Sequence, residues 1–173
     1  GVLDVETRRS AQEVGGWHRA DKMGVSVAVL YDSKDDTFHP YEQDALGDLE
    51  KHLLELDMVI GFNTKRFDYK VLQPFMETPL LELPSLDLLL EVKESLNYRV
   101  SLDNLAQATL DAPKSADGLQ ALAWWKEGKL AEITEYCAKD VALTRDLYLF
   151  GKEQGYVLFS NKAKQVVRAP VSW

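Results

Sequence analysis

Leu3-Asp4-Val5-Glu6-Thr7 is the stretch on which the reading of this chain turns. The apolar lead-in of Val2 and Leu3 marks a strand, along which successive side chains alternate faces. Asp4 and Glu6 therefore point the same way at the strand end, and Val5 points the other way. Alone, the pattern is weak. With 15 Asp and 13 Glu in the chain, roughly one D-x-E arises by chance. Asp48-Leu49-Glu50 is a second copy, inside a helical stretch.

Outward from there, Gly1-Val2-Leu3 reads as the end of a strand whose beginning lies in a longer chain. Residues 24–32 (GVSVAVLYD) are a β-branched run, and 37–41 form its expected hairpin partner. A polar loop ending in Gly15-Gly16-Trp17 separates the first two strands. Apolar residues at 46, 49, 53 and 56 predict a helix over 45–56. Residues 58–62 (MVIGF) predict a short buried strand. Asn63 or Thr64 is expected to cap the helix that follows, which carries Phe67, Val71, Leu72 and Phe75. A helix or strand-to-helix unit is expected at 85–96, then helices at 102–110 and 119–125. A long helix over 130–151 has a face at 133, 137, 141, 144 and 147–148, apolar but for Thr144. The tail, 156–173, reads as a hairpin turning near 161–164, with Pro170 suited to an edge strand. Strands first and helices afterwards predict an α/β fold, three layers α/β/α around a central mixed sheet. Residues 1–173 are expected to form a single domain, with the hairpin at 156–173 as an appendage.

Bulk properties narrow the function. At 173 residues, 46% apolar and 28% charged, the chain can bury an ordinary core. It has no run approaching the roughly 18 apolar residues of a membrane span. One cysteine, Cys137, excludes an internal disulfide and points to a reducing, cytoplasmic setting. The net charge of −8 is the wrong sign for coating long stretches of nucleic acid. Binding a few nucleotides at a strand end remains compatible, since two divalent ions would halve that charge to −4.

Two further segments carry acids in informative places. Tyr136 and Asp140 are four apart on the long helix, stacked on one face. Asp68 follows a buried strand in Gly61-Phe62-Asn63-Thr64-Lys65-Arg66-Phe67-Asp68. About 0.6 chance matches to Y-x-x-x-D are expected, and Tyr31 to Asp35 is one such decoy at a strand end. Order and context separate signal from noise: an acid pair on an apolar strand, an aromatic-Asp helix start, then Tyr-x-x-x-Asp on a strongly periodic helix.

In this order the segments resemble the three motifs of the DEDD exonuclease superfamily, which includes ribonuclease D and the proofreading domains of DNA polymerases. The motif residues here are Leu3-Asp4-Val5-Glu6-Thr7, Asn63 with Phe67-Asp68, and Tyr136-Cys137-Ala138-Lys139-Asp140. The whole chain is also similar to the bacterial ribonuclease H-like domain family typified by the YprB proteins, with Asp117-Gly118-Leu119-Gln120, Trp124-Trp125 and Val171-Ser172-Trp173 adding to that match. The resemblance implies a ribonuclease H-like fold and a 3′–5′ exonuclease that releases nucleoside monophosphates from single-stranded DNA or RNA. It also implies two divalent cations, Mg²⁺ or Mn²⁺, held by Asp4, Glu6, Asp68 and Asp140. Asp4 would bridge both ions, Glu6 and Asp140 would hold the one that activates water, and Asp68 the other. Tyr136 would orient the water. The histidine of the family's other branch falls at Glu135, so the tyrosine (DEDDy) subtype is implied. Thr7 and Asn63 would bind substrate. The partners implied are single-stranded 3′ ends and no membrane, with further domains or a helicase-like partner compatible.

Oxygen-only donors suit such ions, and no Cys/His cluster suggests zinc. Two charges about 4 Å apart repel by ~1 kcal/mol in water and ~4 kcal/mol at an effective dielectric near 20. Four gathered carboxylates therefore call for cations.

Each residue also has a plain structural reading. Asp4 and Glu6 suit a polar strand terminus, Asp68 a helix N-terminus, Asp140 a pair with Lys139 or Arg145, and Tyr136 a core position. Thr7 suits a turn and Asn63 a cap. Trp124 and Trp125 suit base stacking, or one of them core beside Leu119 and Leu122. Lys114 suits a phosphate or mere solvation, as do Lys162, Lys164 and Arg168 in the tail. Cys137 suits a buried helix face. A binding module without chemistry and an endonuclease on the same fold are the competing functions.

Overall fold

A computed structural model describes residues 1–173. The apolar opening forms β1 (Val2–Thr7), so Asp4 and Glu6 lie within the strand rather than beyond its end. The expected polar loop is instead ordered by Ser10 and Glu13, a capping box that starts the one-turn α1 (Ala11–Val14), followed by a 3₁₀ turn over Trp17–Lys22. The valine-rich run forms β2 (Val25–Asp32), buried along its whole length, and β3 (Thr37–Tyr41) returns beside it as a hairpin. Then come α2 (Leu46–Leu54) and β4 (Val59–Gly61).

After β4 the chain makes a π-helical turn over Thr64–Asp68 before the short α3 (Tyr69–Leu72). Gly61 is required here, because a Cβ would stand 1.7 Å from Thr64 Oγ1. Then follow β5 (Ser85–Asp87), α4 (Leu88–Leu96), α5 (Leu102–Leu110), α6 (Gly118–Lys126), the 25-residue α7 (Leu130–Gln154), and the hairpin of β6 (Tyr156–Ser160) and β7 (Val166–Pro170). No helix is long and apolar enough to cross a membrane.

The central sheet runs β3-β2-β1-β4-β5, antiparallel among the first three and parallel from β1 to β5. It is the expected mixed sheet in an α/β, ribonuclease H-like fold. Strand alternation sorts its side chains to two cores. Leu3 and Val5, with Ala28 and Leu30 opposite, pack against α2 and α3. Val2, with Val27 and Val29, packs on the other face beneath α4, α5 and α7. Asp4 pairs with Val29 and Glu6 with Val27, so the two acids occupy the α7 face.

The hairpin is tied in closely. Val157, Phe159 and Ala169 join the core under α7. Two α5 side chains hydrogen-bond the free edge of β6: Asn104 takes both the N–H and the C=O of Ser160, and Thr109 does the same for Leu158. Trp173 lies over Gly151, where a Cβ would meet its ring at 2.5 Å, and its indole N–H donates to the Tyr148 carbonyl.

Candidate active site

α7 crosses the sheet with Ile133, Cys137, Val141, Thr144 and Leu147 buried. That seating brings Cys137 over Asp4: Sγ lies 3.5 Å from both the Asp4 carbonyl and its Oδ2. The ligating atoms of Asp4, Glu6 and Cys137 all lie within 4.8 Å of one another. Asp140, three residues along the helix, and Tyr136, a turn before it, both feel the charge of the same acids. Asp68 enters from the β4 side, its position set by the π turn, and is only 2% exposed.

Burial and mutual charge shift every one of these groups. Burial is the largest cause pushing the Asp4 carboxyl up, to about 6, opposed by the Cys137 thiol hydrogen bond. Burial also raises Glu6 well above its ordinary value, and Asp4, Asp140 and Asp68 add to the shift in that order. Asp68 is raised well above the carboxylate range by burial, then by Asp4 and Asp87. Asp140 is pushed up to about 8 by burial, Asp4 and Asp103, against a hydrogen bond from Tyr136. Burial, with the same acids, pushes the Tyr136 hydroxyl and the Cys137 thiol up, so both keep their protons near neutrality.

No Lys or Arg forms an ion pair with any of the four acids. Arg145, one expected partner of Asp140, instead pairs with Asp146 at 3.0 Å and stacks on Tyr31. Asp68 Oδ2 is buried with no hydrogen-bond partner, as are the side-chain oxygens of Asn63 and Thr64 beside it. A buried, unpartnered carboxylate oxygen is costly unless something satisfies it. The cluster offers hard oxygen donors and lacks a positive charge. It fits a divalent cation.

The other sequence candidates fall as follows. Thr7 is buried, and its hydroxyl donates to the Arg9 carbonyl at 3.0 Å, holding the turn after β1. Asn63 does not cap the next helix through its side chain, and neither does Thr64. Asn63 sits at φ 61, not in the extended conformation of a capping residue. The job falls to Asp87, at the end of β5. Its carboxylate accepts from the N–H groups of Asn63 (2.8 Å), Lys65 (3.1 Å) and, at the start of α4, Leu89 (3.1 Å). Leu119 does not join the core; it is 72% exposed, and both neighbouring tryptophans are half-buried. Trp124 meets Tyr136 edge to face at 6.3 Å, and the Arg8 guanidinium lies 4.5 Å over Trp125. Trp17, 71% exposed, stands edge-on to Phe67 next to Asp68.

Asp87 and Asp103 are the residues that sequence reasoning passed over. Asp87 ends a strand before a helix, which is a legible capping signal. The effect of Asp103 on Asp140 and Tyr136 is purely tertiary.

No curated protein sequence matches the chain. Among solved structures, the family B DNA polymerase from the hyperthermophilic archaeon Pyrobaculum calidifontis superposes with a TM-score of 0.63 at 16% identity. That likeness covers 88% of this chain and 24% of the polymerase, and it speaks for the fold alone. The family model for the RNase H superfamily matches residues 3–150, the stretch from β1 into α7 that carries all four clustered acids. By that match and by its mixed five-stranded sheet, the chain belongs to the RNase H superfamily.

Proposed function

We propose that this chain is a two-metal-ion 3′–5′ exonuclease of the tyrosine (DEDDy) subtype. It hydrolyses phosphodiester bonds at the 3′ end of single-stranded DNA or RNA and releases nucleoside monophosphates. One observation supports the reading above the rest: Asp4 and Glu6 of β1, Asp68 of the π turn and Asp140 of α7 raise one another's affinity for protons, and no cationic side chain pairs with any of them. These four would hold two Mg²⁺ or Mn²⁺ ions, which when bound supply charge neutralisation at the attacking and leaving oxygens of an in-line displacement.

The chain's own residues do the rest. Tyr136 keeps its proton and stands one helical turn before Asp140, and its hydroxyl would orient the attacking water. Cys137 donates to Asp4 and fixes the rotamer of that carboxylate. Asp87 locks the backbone of Asn63 and Lys65, and with it the approach of the π turn that delivers Asp68. Asn63, with an unpartnered Oδ1, and Thr7, at the mouth of the turn, are the substrate-contact candidates. Water adds to phosphorus as the P–O bond to the penultimate 3′ oxygen breaks, and that oxygen leaves as a hydroxyl.

Oligonucleotides of DNA and RNA labelled at the 3′ or the 5′ end, incubated with Mg²⁺ or Mn²⁺, test this directly. The expected product is a ladder shortening from the 3′ end. Internal cuts, or wild-type rates in Asp4→Ala or Asp140→Ala, contradict it.

A further inference from the structure

The tail beyond α7 differs from the rest of the chain in charge. Residues 155–173 contain Lys162, Lys164 and Arg168 and no acid, so the remaining residues carry −11 of a total of −8. They also lie outside the segment that matches the family model. Lys162 and Lys164 sit at the exposed turn between β6 and β7. That turn is built, not loose. The Asn161 side-chain oxygen accepts from the N–H groups of Ala163 and Gln165, at 3.0 and 2.9 Å. The edge of β6 is in turn clamped to α5 by Asn104 and Thr109.

Between α5 and the hairpin runs a groove of about 570 Å³ lined by Asp103, Asn104, Gln107, Lys114, Ser160 and Val166, among others. Asp103 lines its α5 side, and α5 packs through Leu105 against α7, the helix that carries Tyr136 and Asp140. Ser160 and Val166, the last pair before the hairpin turn, mark its outer end. The groove thus runs from the helix packed on α7 out to the basic turn, with Lys114 in its lining.

We propose that the α5–hairpin groove and the lysines at its outer end hold the single strand that trails back from the 3′ terminus bound at the acid cluster. The proposal rests on the exonuclease reading for the direction of the strand. Side-chain amides and an ammonium lining a polar groove match a phosphodiester backbone without reading sequence. A duplex is disfavoured, because its second strand would add phosphates against the remainder of the chain, whose formal charge sums to −11. Each lysine engaged on a single strand contributes about −0.7 to the slope of log K against log salt.

The test is fluorescence anisotropy with Ca²⁺ in place of the catalytic ion, using twenty- and five-nucleotide 5′-fluorescein oligothymidylates between about 50 and 200 mM salt. Wild type and the double variant Lys162→Gln/Lys164→Gln are compared. The variant is expected to bind the longer oligonucleotide more weakly, with a slope shallower by about 1.4. Binding of the five-mer, and its cleavage in Mn²⁺, should stay unchanged. Lys162→Arg/Lys164→Arg should behave as wild type.

An unaltered slope in the glutamine variant overturns the proposal, as does equal loss of both oligonucleotides. Displacement of the longer strand by poly-glutamate of equal charge, as effective as unlabelled strand, would reassign the surface to an acidic protein. If neither oligonucleotide is cleaved but the lysine-dependent length effect persists, the exonuclease reading fails while this contact stands.

Discussion

Two clusters of polar side chains sit on this sheet, and they are treated in opposite ways. At the end of β2, Asp32 accepts from His52 Nε2 at 2.8 Å and from the Lys34 N–H at 2.9 Å, and the other nitrogen of His52 meets the Tyr41 hydroxyl at 2.7 Å. The His52 hydrogen bond, followed by that from Lys34, holds the Asp32 carboxyl below its ordinary value. One strand over, Asp4, Glu6, Asp68 and Asp140 are given one another instead, and all are raised. The first arrangement is finished and pins β2 to α2. The second is incomplete as a protein structure, and the missing component is positive charge. Satisfied acids stabilise the fold, whereas unsatisfied ones cost stability until a ligand neutralises them.

The sharpest way to break this contrast is Asp4→Asn or Asp140→Asn. Each is expected to cut exonuclease turnover by about 10³-fold or more, equivalent to ~4 kcal/mol, while the metal-free melting temperature holds or rises because repulsion is relieved. A fall in melting temperature would place these acids with Asp32. Next, Mn²⁺ at about a hundredfold its dissociation constant should stabilise the wild type by ~2.7 kcal/mol per site in calorimetry. Asp140→Asn should lose that gain, and it should grow with pH as bound protons are displaced.

In the other cluster, Asp32→Asn should cost about 1.5–3 kcal/mol in urea unfolding and leave turnover alone. The pH dependences should also run in opposite directions. The low Asp32 value contributes stability that is present above 3.8 and lost as pH falls through the folded value. Asp140 binds its proton more tightly folded than unfolded, so metal-free stability declines as pH rises from 3.8 to about 8. Asp140→Asn should flatten that decline in melts recorded across the range. The smallest effect is Tyr136→Phe, a loss of about tenfold in kcat with KM little changed.

Much of this was legible in the sequence where one local period governs. The alternation around Asp4 and Glu6 sets their face, the β-branched run makes β2, and the apolar stripe through Ile133, Cys137 and Val141 seats α7. Reading failed where the deciding contact is remote along the chain. Asn63 looked like a cap because nothing local reveals that Asp87, 24 residues later, already serves those N–H groups. Leu119 belongs to an apolar run, yet α6 buries only Ala121, so hydropathy alone misplaced it. The Ser10–Glu13 box was visible and passed over, its helix being a single turn.

The side chains of Asn104 and Thr109 also decide what the hairpin does not do. A two-stranded ribbon with exposed Val166 at its tip would ordinarily be a template for another extended segment. With the outer N–H and C=O groups of Leu158 and Ser160 consumed by α5, that flank has nothing left to offer an incoming strand. On the opposite flank, Pro170 lacks a donor and Arg168 brings charge. Neither flank of the ribbon is therefore a ready template for strand addition.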